Sequence, residues 1–253
     1  MILVIDIGNT NITLGVFKGN DIIDRFRMRT KTEKTSDEYG IFIVTLLREK
    51  GVVLEDINDV VISSVVPDIM YSFSNGIRKY IHKEPFIVGP GVKTGISIHT
   101  DNPSEVGADR IVDAVSAHSD YEGDLIVIDF GTATTIDVVT AKGVFEAAIT
   151  VPGLRISADA LWKEAAKLPG IEIQKPKSIL AKNTVHSMQA GLVYGYIGQV
   201  DYIVKQIQLE LDKPFKVIAT GGLGRIIVES LEYITYDPDL TLKGLKYIYE
   251  KNM

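Results

Sequence analysis

Two short stretches carry residues able to do chemistry, in the same order. In the first, the apolar run Ile2–Ile5 ends on Asp6, and Ile7, Gly8, Asn9, Thr10, Asn11, Ile12 and Thr13 follow. In the second, Leu125–Ile128 ends on Asp129, and Phe130, Gly131, Thr132, Thr134 and Thr135 follow. An apolar run bounded by a turn signal reads as a buried strand that stops abruptly. The alternation of Ile12, Leu14 and Val16 returns the chain as the second arm of a hairpin. A carboxylate at such a strand end can hold a hydrated cation. The glycine lets backbone N–H groups approach an anion, and the Thr and Asn side chains add donors. Together these parts would seat the phosphates of a nucleotide–metal complex. A single copy also reads as an ordinary turn whose Asn, Gly and Thr serve local backbone bonding. The repetition half a chain apart favours a duplicated domain with two loops facing one another across a cleft.

Two further stretches add candidates. Lys216–Thr220 reads as a buried strand running straight into Gly221-Gly222-Leu223-Gly224. It lacks the G-x-G-x-x-G spacing of a dinucleotide site, but would let a flat ligand such as adenosine approach a helix start. Asn102-Pro103-Ser104-Glu105 has the signature of a helix N-terminus, and the expected helix runs on to Gly123. On it Glu105, Asp109 and Asp113 stand four apart, where like charges repel. The bland reading is a solvated acidic face. Gly107 is harder to dismiss, because a glycine in the first turn costs up to ~1 kcal/mol relative to alanine. It suits a place where something must approach the backbone.

The elements that would position these residues alternate between strand and helix. A third strand is expected over Asp21–Met28, and a helix opens at Thr35 and Glu38, which have capping-box spacing. Asp59–Ser64 reads as a strand, Ile69–Ile81 as a helix, and Pro85–Val88 as a strand, followed by a glycine-rich loop over Gly89–Asn102. The second half repeats the plan, with strands over Leu125–Asp129, Thr135–Val139 and Val144–Ile149, then a helix over Ile156–Leu168. Trp162 on that helix reads as packing. The longest helix is expected over Thr184–Leu211, with Gly191, Gly195 and Gly198 among its apolar residues. Each glycine is unfavourable there unless another backbone packs close, from the other lobe or from another subunit. Short helices are expected over Ile226–Leu231 and Leu240–Tyr249.

Composition bounds the function. The chain has 253 residues, of which 45% are hydrophobic and 24% charged, with net charge −6 and no cysteine. An acidic balance argues against a nucleic-acid partner. Without cysteine there is no disulfide framework and no thiolate chemistry. No apolar run reaches membrane-spanning length, and the four histidines show no metal spacing. The chain opens on a strand with no basic region or cleavage site of a signal peptide. A soluble, intracellular protein with no membrane partner is expected.

The two Asp–Gly–Thr hairpins with the late Gly-Gly turn resemble the actin-like ATPase superfamily of sugar kinases, heat-shock ATPases and actin. More closely, the chain resembles the type III pantothenate kinases. The resemblance is carried by Asp6–Phe17, Asn102–Ile111, Ile128–Val139, Ala166–Ile173, Lys182–Asp201, Thr220–Leu223 and Leu240–Tyr249. It spans nearly the whole chain, and Val106–Arg110 followed by Asp129–Thr135 is its most specific part. It implies an α/β fold of two duplicated ribonuclease H-like lobes with mixed sheets and an interlobe nucleotide cleft. The lobes would be 1–121 and 122–253.

The activity implied is ATP-dependent phosphorylation of the primary hydroxyl of pantothenate, the first step of coenzyme A synthesis, in the cytoplasm. By the same resemblance, Asp6 through Thr13 and Thr132 would bind ATP. Asp6 would orient Mg²⁺ through water, and Asp129 would ligate a monovalent cation, K⁺ or ammonium. Gly107, Ala108, Asp109, Arg110 and Thr184 would bind pantothenate. Asp109 would orient its hydroxyl and accept the proton late in the transfer. A homodimer with the substrate site near its interface is implied too. The chain departs from the family pattern at Thr100, where Tyr is usual, at Ala147, Ala148 and Ala181, where Gly is usual, and at Asp113 for Asn. These departures leave room for a superfamily kinase or phosphatase acting on another small molecule. A non-catalytic nucleotide-binding regulator is the other alternative, and retention of Asp6, Asp109 and Asp129 argues against it.

Overall fold

The computed structural model describes all 253 residues. The chain forms two compact units. The first comprises Met1–Gly95, Asn102–Ser116 and Leu240–Met253, and the second Ile96–Asp101 and Ala117–Asp239. The expected halves, 1–121 and 122–253, differ from this in three ways. Ile96–Asp101 belongs to the second unit, the change of unit falls inside a helix, after Ser116, and the C-terminal segment belongs to the first unit.

The first unit is built on five strands: β1 (Ile2–Ile7), β2 (Asn11–Lys18), β3 (Asp21–Arg29), β4 (Asp59–Ser64) and β5 (Pro85–Ile87). Their order in the sheet is β3-β2-β1-β4-β5. The β1–β2–β3 meander is antiparallel, whereas β4 and β5 add in parallel. Parallel neighbours need a crossover, and α1 (Ser36–Glu49) and α2 (Pro67–Ile81) supply it. Helix α1 starts where its capping box predicts, with Thr35 and Glu38 each closing the other's free donor. Helix α2 has Pro67 in its first turn, where the missing N–H is no loss. Leu3, Ile5, Ile7, Ile12 and Leu14 alternate onto the sheet face covered by both helices, where they meet Tyr39, Ile43, Phe73 and Ile77. The other sheet face receives α7 (Leu240–Asn252): a Cβ on Gly15 of β2 would sit 2.9 Å from a Leu242 methyl.

The second unit repeats the plan with β7 (Leu125–Phe130), β8 (Ala133–Val139), β9 (Val144–Pro152), β10 (Lys216–Thr220) and β11 (Ile234–Tyr236). Its sheet order is β11-β10-β7-β8-β9-β6, the mirror of the first list with one strand added. That strand, β6 (Ser97–Ile98), comes from the segment expected to be pure loop and pairs in parallel with β9. β11 was not expected either. At three residues it is too short to show a period. Helices α4 (Leu154–Glu164), α5 (Thr184–Leu211) and α6 (Gly224–Val228) complete the unit. Val193, Tyr196, Val200 and Val204 of α5 pack with Ile126, Ile128 and Val217, and Trp162 lies against this core as packing.

The segment after Asn102 departs from expectation. Pro103–Glu105 forms one 3₁₀ turn, Val106 is extended, and helix α3 begins only at Ala108, running to Asp120. The Asn102 side chain makes no cap to the backbone and instead donates from Nδ2 to Glu105 Oε1 at 2.6 Å. The consequence is that Asp109 lies in the first turn of a helix, where the macrodipole favours a carboxylate.

Candidate active site

Strand register collects the first set of polar residues. Asp6 of β1 is paired with Ser63 of β4 on one side and Thr13 of β2 on the other, and Thr13 is paired with Arg27 of β3. Directly paired residues share a sheet face, with strands about 4.8 Å apart, so Ser63, Asp6, Thr13 and Arg27 form one polar row. Ser63 is fully buried, and its Oγ donates to Asp6 Oδ1 at 2.6 Å. Desolvation lifts the Asp6 carboxyl from its ordinary 3.8 to about 6; the Ser63 bond partly opposes this, and the charge of Asp109 adds to it. Asp6 and Asp109, far apart in sequence, therefore feel one another within this unit.

The hairpin tip uses much of its own backbone. The Gly8 N–H donates to the Asn11 carbonyl at 3.0 Å, so this donor closes the turn. Thr30 holds the tip from β3's end, its Oγ1 donating to the Gly8 carbonyl at 2.6 Å and its N–H to the Thr10 carbonyl at 3.0 Å. Asn9 and Thr10 stay exposed, and Asn11 and Thr13 are half-buried. Ile7 and Ile12 are fully buried core residues and offer a ligand only their main chain.

At the start of α3, Gly107, Ala108, Asp109 and Arg110 are all half-buried. The Asp109 carboxylate folds back over Gly107: a Cβ there would lie 2.5 Å from Asp109 Oδ1. The same oxygen accepts the Arg110 N–H at 2.9 Å. Gly107 is thus explained by the carboxylate beside it. Asp113 is not on a solvated face but buried, accepting from Thr241 Oγ1 at 2.6 Å. Glu105 sits before the helix on the separate 3₁₀ turn.

In the second unit the corresponding row is Thr220, Asp129, Thr135 and Thr150. Here glycine backbone surrounds the carboxylate. A Cβ on Gly221 would lie 2.5 Å from Asp129 Oδ1, and one on Gly131 would lie 3.1 Å from Oδ2. Gly221 has φ +94°, and its carbonyl accepts from Tyr236 Oη at 2.8 Å. The glycine turn is therefore shaped first by Asp129 and the backbone of Phe130. Thr132 is half-buried, and its carbonyl accepts the Gly153 N–H at 3.1 Å. A Cβ on Gly153 would run into the Gly131 and Thr132 carbonyls, so the turn before α4 seats this hairpin. Beneath it, the Tyr196 hydroxyl is hydrogen-bonded to Thr134 Oγ1 at 2.5 Å and to the Pro152 carbonyl at 3.1 Å. Burial raises the pKa of this hydroxyl, the Thr134 bond lowers it, and the charge of Asp129 raises it again.

Thr184 is the first residue of α5, exposed, after Asn183 caps the helix by accepting the His186 N–H at 2.9 Å. It borders a hollow of about 460 Å³ together with Ser157, Leu161, Ser187 and Gly191. The Oγ1 of Thr100 is buried without a hydrogen-bond partner. Ala147 packs on the core of the second unit, and Ala148 is exposed on β9.

Ser63, Arg27, Gly153 and Tyr196 were not singled out from sequence. Ser63 had a signal: a hydroxyl residue pairs with the aspartate near the end of the neighbouring buried strand in each copy, Ser63 in one and Thr220 in the other. No group of three His, Asp or Glu side chains is arranged to hold a metal ion by itself. A single carboxylate such as Asp6, whose burial raises its pKa, would fit a divalent ion whose other ligands are water and phosphate oxygens, the usual habit of Mg²⁺.

The pattern of the family described as type III pantothenate kinase matches residues 2–206. A type III pantothenate kinase of Agathobacter rectalis is 56% identical over 253 residues, covering 99% of this chain and 97% of the relative. Among solved structures, one described as a Baf family transcriptional activator of Campylobacter jejuni aligns over 99% of this chain and 98% of its own, at 19% identity and TM-score 0.61. The activator of 2-hydroxyisocaproyl-CoA dehydratase from Clostridium difficile, solved with bound ADPNP, aligns over 98% and 93% at 15% identity and TM-score 0.54. These two show a shared α/β fold of actin-like type.

Proposed function

We infer the activity from the family to which this chain belongs, the type III pantothenate kinases. The enzyme transfers the γ-phosphoryl group of ATP to the primary hydroxyl of pantothenate, giving 4'-phosphopantothenate and ADP for coenzyme A synthesis. The observation that carries the residue assignment is Asp109, brought within electrostatic reach of Asp6 beside the first hairpin.

In this reading the hairpin from Asp6 to Thr13 holds the ATP phosphates, and Thr132 of the second hairpin is a further contact to ATP. Gly107, Ala108, Arg110 and Thr184 contact pantothenate. Asp109 accepts a hydrogen bond from the pantothenate hydroxyl and aims its oxygen at the γ-phosphorus. As the new O–P bond forms and the bond to ADP breaks, the hydroxyl proton passes to Asp109. The transition state of phosphoryl transfer is loose, so alignment and charge neutralisation carry most of the rate. Asp6 would hold a Mg²⁺ ion through water, and that ion would supply neutralisation of the phosphate charge. The proposal gives Asp129 a monovalent cation, K⁺ or ammonium, since a strand-end carboxylate facing phosphates would repel them unless a cation intervened. It places the enzyme in the cytoplasm.

The proposal includes a homodimer built on α5. Gly191, Gly195 and Gly198 are exposed, and a Cβ on any of them meets nothing within 4 Å. On the same helix Tyr202 is 64% and Leu209 72% exposed. Three glycines cost about 2–3 kcal/mol of helix propensity, which close packing of a partner backbone would offset. Sedimentation at micromolar concentration should give a dimer, and Gly195→Leu should weaken it and raise the KM for pantothenate. A fully active monomeric wild type would overturn the dimer.

The activity itself is tested by ADP release. Release should depend on pantothenate and fail with other small alcohols. ADP release that ignores pantothenate would overturn the assignment.

A further inference from the structure

We propose that the C-terminal helix α7 positions Asp109, through a hydrogen bond from Thr241 to the buried Asp113. The proposal rests on the reading that Asp109 receives the hydroxyl proton. Asp113 stands one turn after Asp109 on α3, and residues four apart on a helix lie on one face. Its carboxylate has no part in the transfer as described, yet the residue is only 3% exposed. Thr241 Oγ1 donates to its Oδ1 at 2.6 Å. Thr241 lies in the first turn of α7, whose positive end suits an anion.

Three independent contacts fix α7 within the first unit. Against α3, Gly244 leaves no room for a side chain: its Cβ would run into the Val112 carbonyl and lie 2.8 Å from Val112 Cγ1. Against the sheet, Leu242 fills the space that a side chain on Gly15 of β2 would take, at 2.9 Å. At the β2–β3 turn, Lys246, 2% exposed, donates to Asn20 Oδ1 at 3.0 Å and also to Glu250 Oε1 at 2.6 Å. The sheet that carries Asp6 therefore holds α7, and α7 holds α3 at Val112 and Asp113. Asp109 is set against Asp6 through this chain of contacts, which begins at the far C-terminal end of the sequence. Thr241 and Asp113 are positioning residues: neither touches the reacting atoms.

The test uses the full-length enzyme with Thr241→Val, Thr241→Ser, Asp113→Asn, Asp113→Ala and the Asp113→Ala/Thr241→Val pair, read by kcat, both KM values and thermal melting. Thr241→Val keeps shape and removes the donor; kcat should fall about tenfold or more with the KM for ATP within about twofold, as for a small misplacement of a catalytic group. Thr241→Ser and Asp113→Asn keep the hydrogen bond and should restore kcat to within about threefold of wild type. The paired variant should be no slower than Asp113→Ala, since one contact is lost in both. Wild-type kcat in folded Thr241→Val, with only a lower melting temperature, overturns the proposal; so do losses that multiply in the pair. If Asp113→Ala does not fold, the contrast between Thr241→Val and Thr241→Ser decides alone. Asp109→Asn separates the two readings. An active Asp109→Asn sinks the role of Asp109, whereas an inactive one beside a fast Thr241→Val sinks only the positioning by α7.

Discussion

The two Asp–Gly hairpins occupy equivalent places in equivalent sheets, yet their carboxylates have different surroundings. In the first row, Ser63, Asp6, Thr13 and Arg27 are neighbours across the strands; in the second, Thr220, Asp129, Thr135 and Thr150 are. Asp6 meets a side-chain hydroxyl and the charge of a second carboxylate, Asp109. Asp129 is instead walled by glycine backbone, Gly131 on one oxygen and Gly221 on the other. The difference teaches how duplicated halves divide labour. The strand–Asp–turn frame is kept, while the connection leaving the neighbouring strand is free to change. After β4 the chain turns into α2 through Val65-Val66, and α3 brings a second acid to the first copy. After β10 it turns at once through Gly221-Gly222 over the second. On the proposed function, the first copy would serve proton and metal chemistry, and the second would hold a ligand or a cation close to main chain.

The sharpest way to break this division is to remove the second acid. Asp109→Asn should leave ATP binding nearly intact and lower turnover by about 10²–10⁴-fold, the usual contribution of a positioned base. Retention of more than about a tenth of the rate in the ADP-release assay would show that the first copy has no acceptor role.

The next largest effect should fall on the glycine wall. Gly221→Ala forces a side chain into φ +94° and to within 2.5 Å of Asp129 Oδ1. Backbone strain and overpacking together should cost about 2–4 kcal/mol in urea unfolding. Gly8→Ala in the first hairpin meets only the Asn11 carbonyl, at 3.2 Å. Its loss should stay near ~1 kcal/mol. Equal losses would mean that the two turns are built alike after all.

Asp6 offers a test by pH. Its folded pKa, about 6, lies above the ordinary 3.8, so between these values the folded state holds the proton more tightly than the unfolded. The stability this provides is full below the unfolded value and is lost as pH rises through the folded one. In the ligand-free enzyme, Asp6→Asn should therefore be more stable than wild type by about 3 kcal/mol at pH 8, the advantage vanishing below pH 4. Activity should collapse in the same variant. Urea melts at several pH values decide it, and a variant less stable at every pH would refute the buried-carboxylate account.

The smallest expected effect separates the cations of the two copies. Replacing K⁺ and ammonium by Na⁺ should slow the enzyme several-fold at saturating Mg²⁺, about 1 kcal/mol. Asp129→Asn should abolish that difference. Equal rates in all three salts would remove the monovalent ion from the second copy.

Glycines show where local reading succeeds and where it stops. A glycine in the first turn near Asp109, a pair after β10 and three along α5 all signal close approach, and sequence alone cannot say of what. At Gly107 the approaching group is the Asp109 carboxylate, and at Gly221 it is Asp129 with the backbone of Phe130. At Gly191, Gly195 and Gly198 nothing lies within 4 Å. The three cases look alike in one dimension because a missing Cβ records a vacancy and not its occupant.

The features that the sequence determined by itself were local or repeated. The capping box of Thr35 and Glu38, the apolar alternation of β1 and β2, and the matched order around Asp6 and Asp129 depend on neighbours a few residues apart. Tertiary structure decided which groups meet across strands and between distant helices. Register set Ser63 and Arg27 in the row of Asp6. Helix α3 starts only at Ala108, which puts Asp109 in its first turn, and α7 returns to the first unit, where Thr241 binds Asp113. These contacts join residues as far apart as Asp113 and Thr241, and no periodicity within a strand or a helix encodes a partner at that separation.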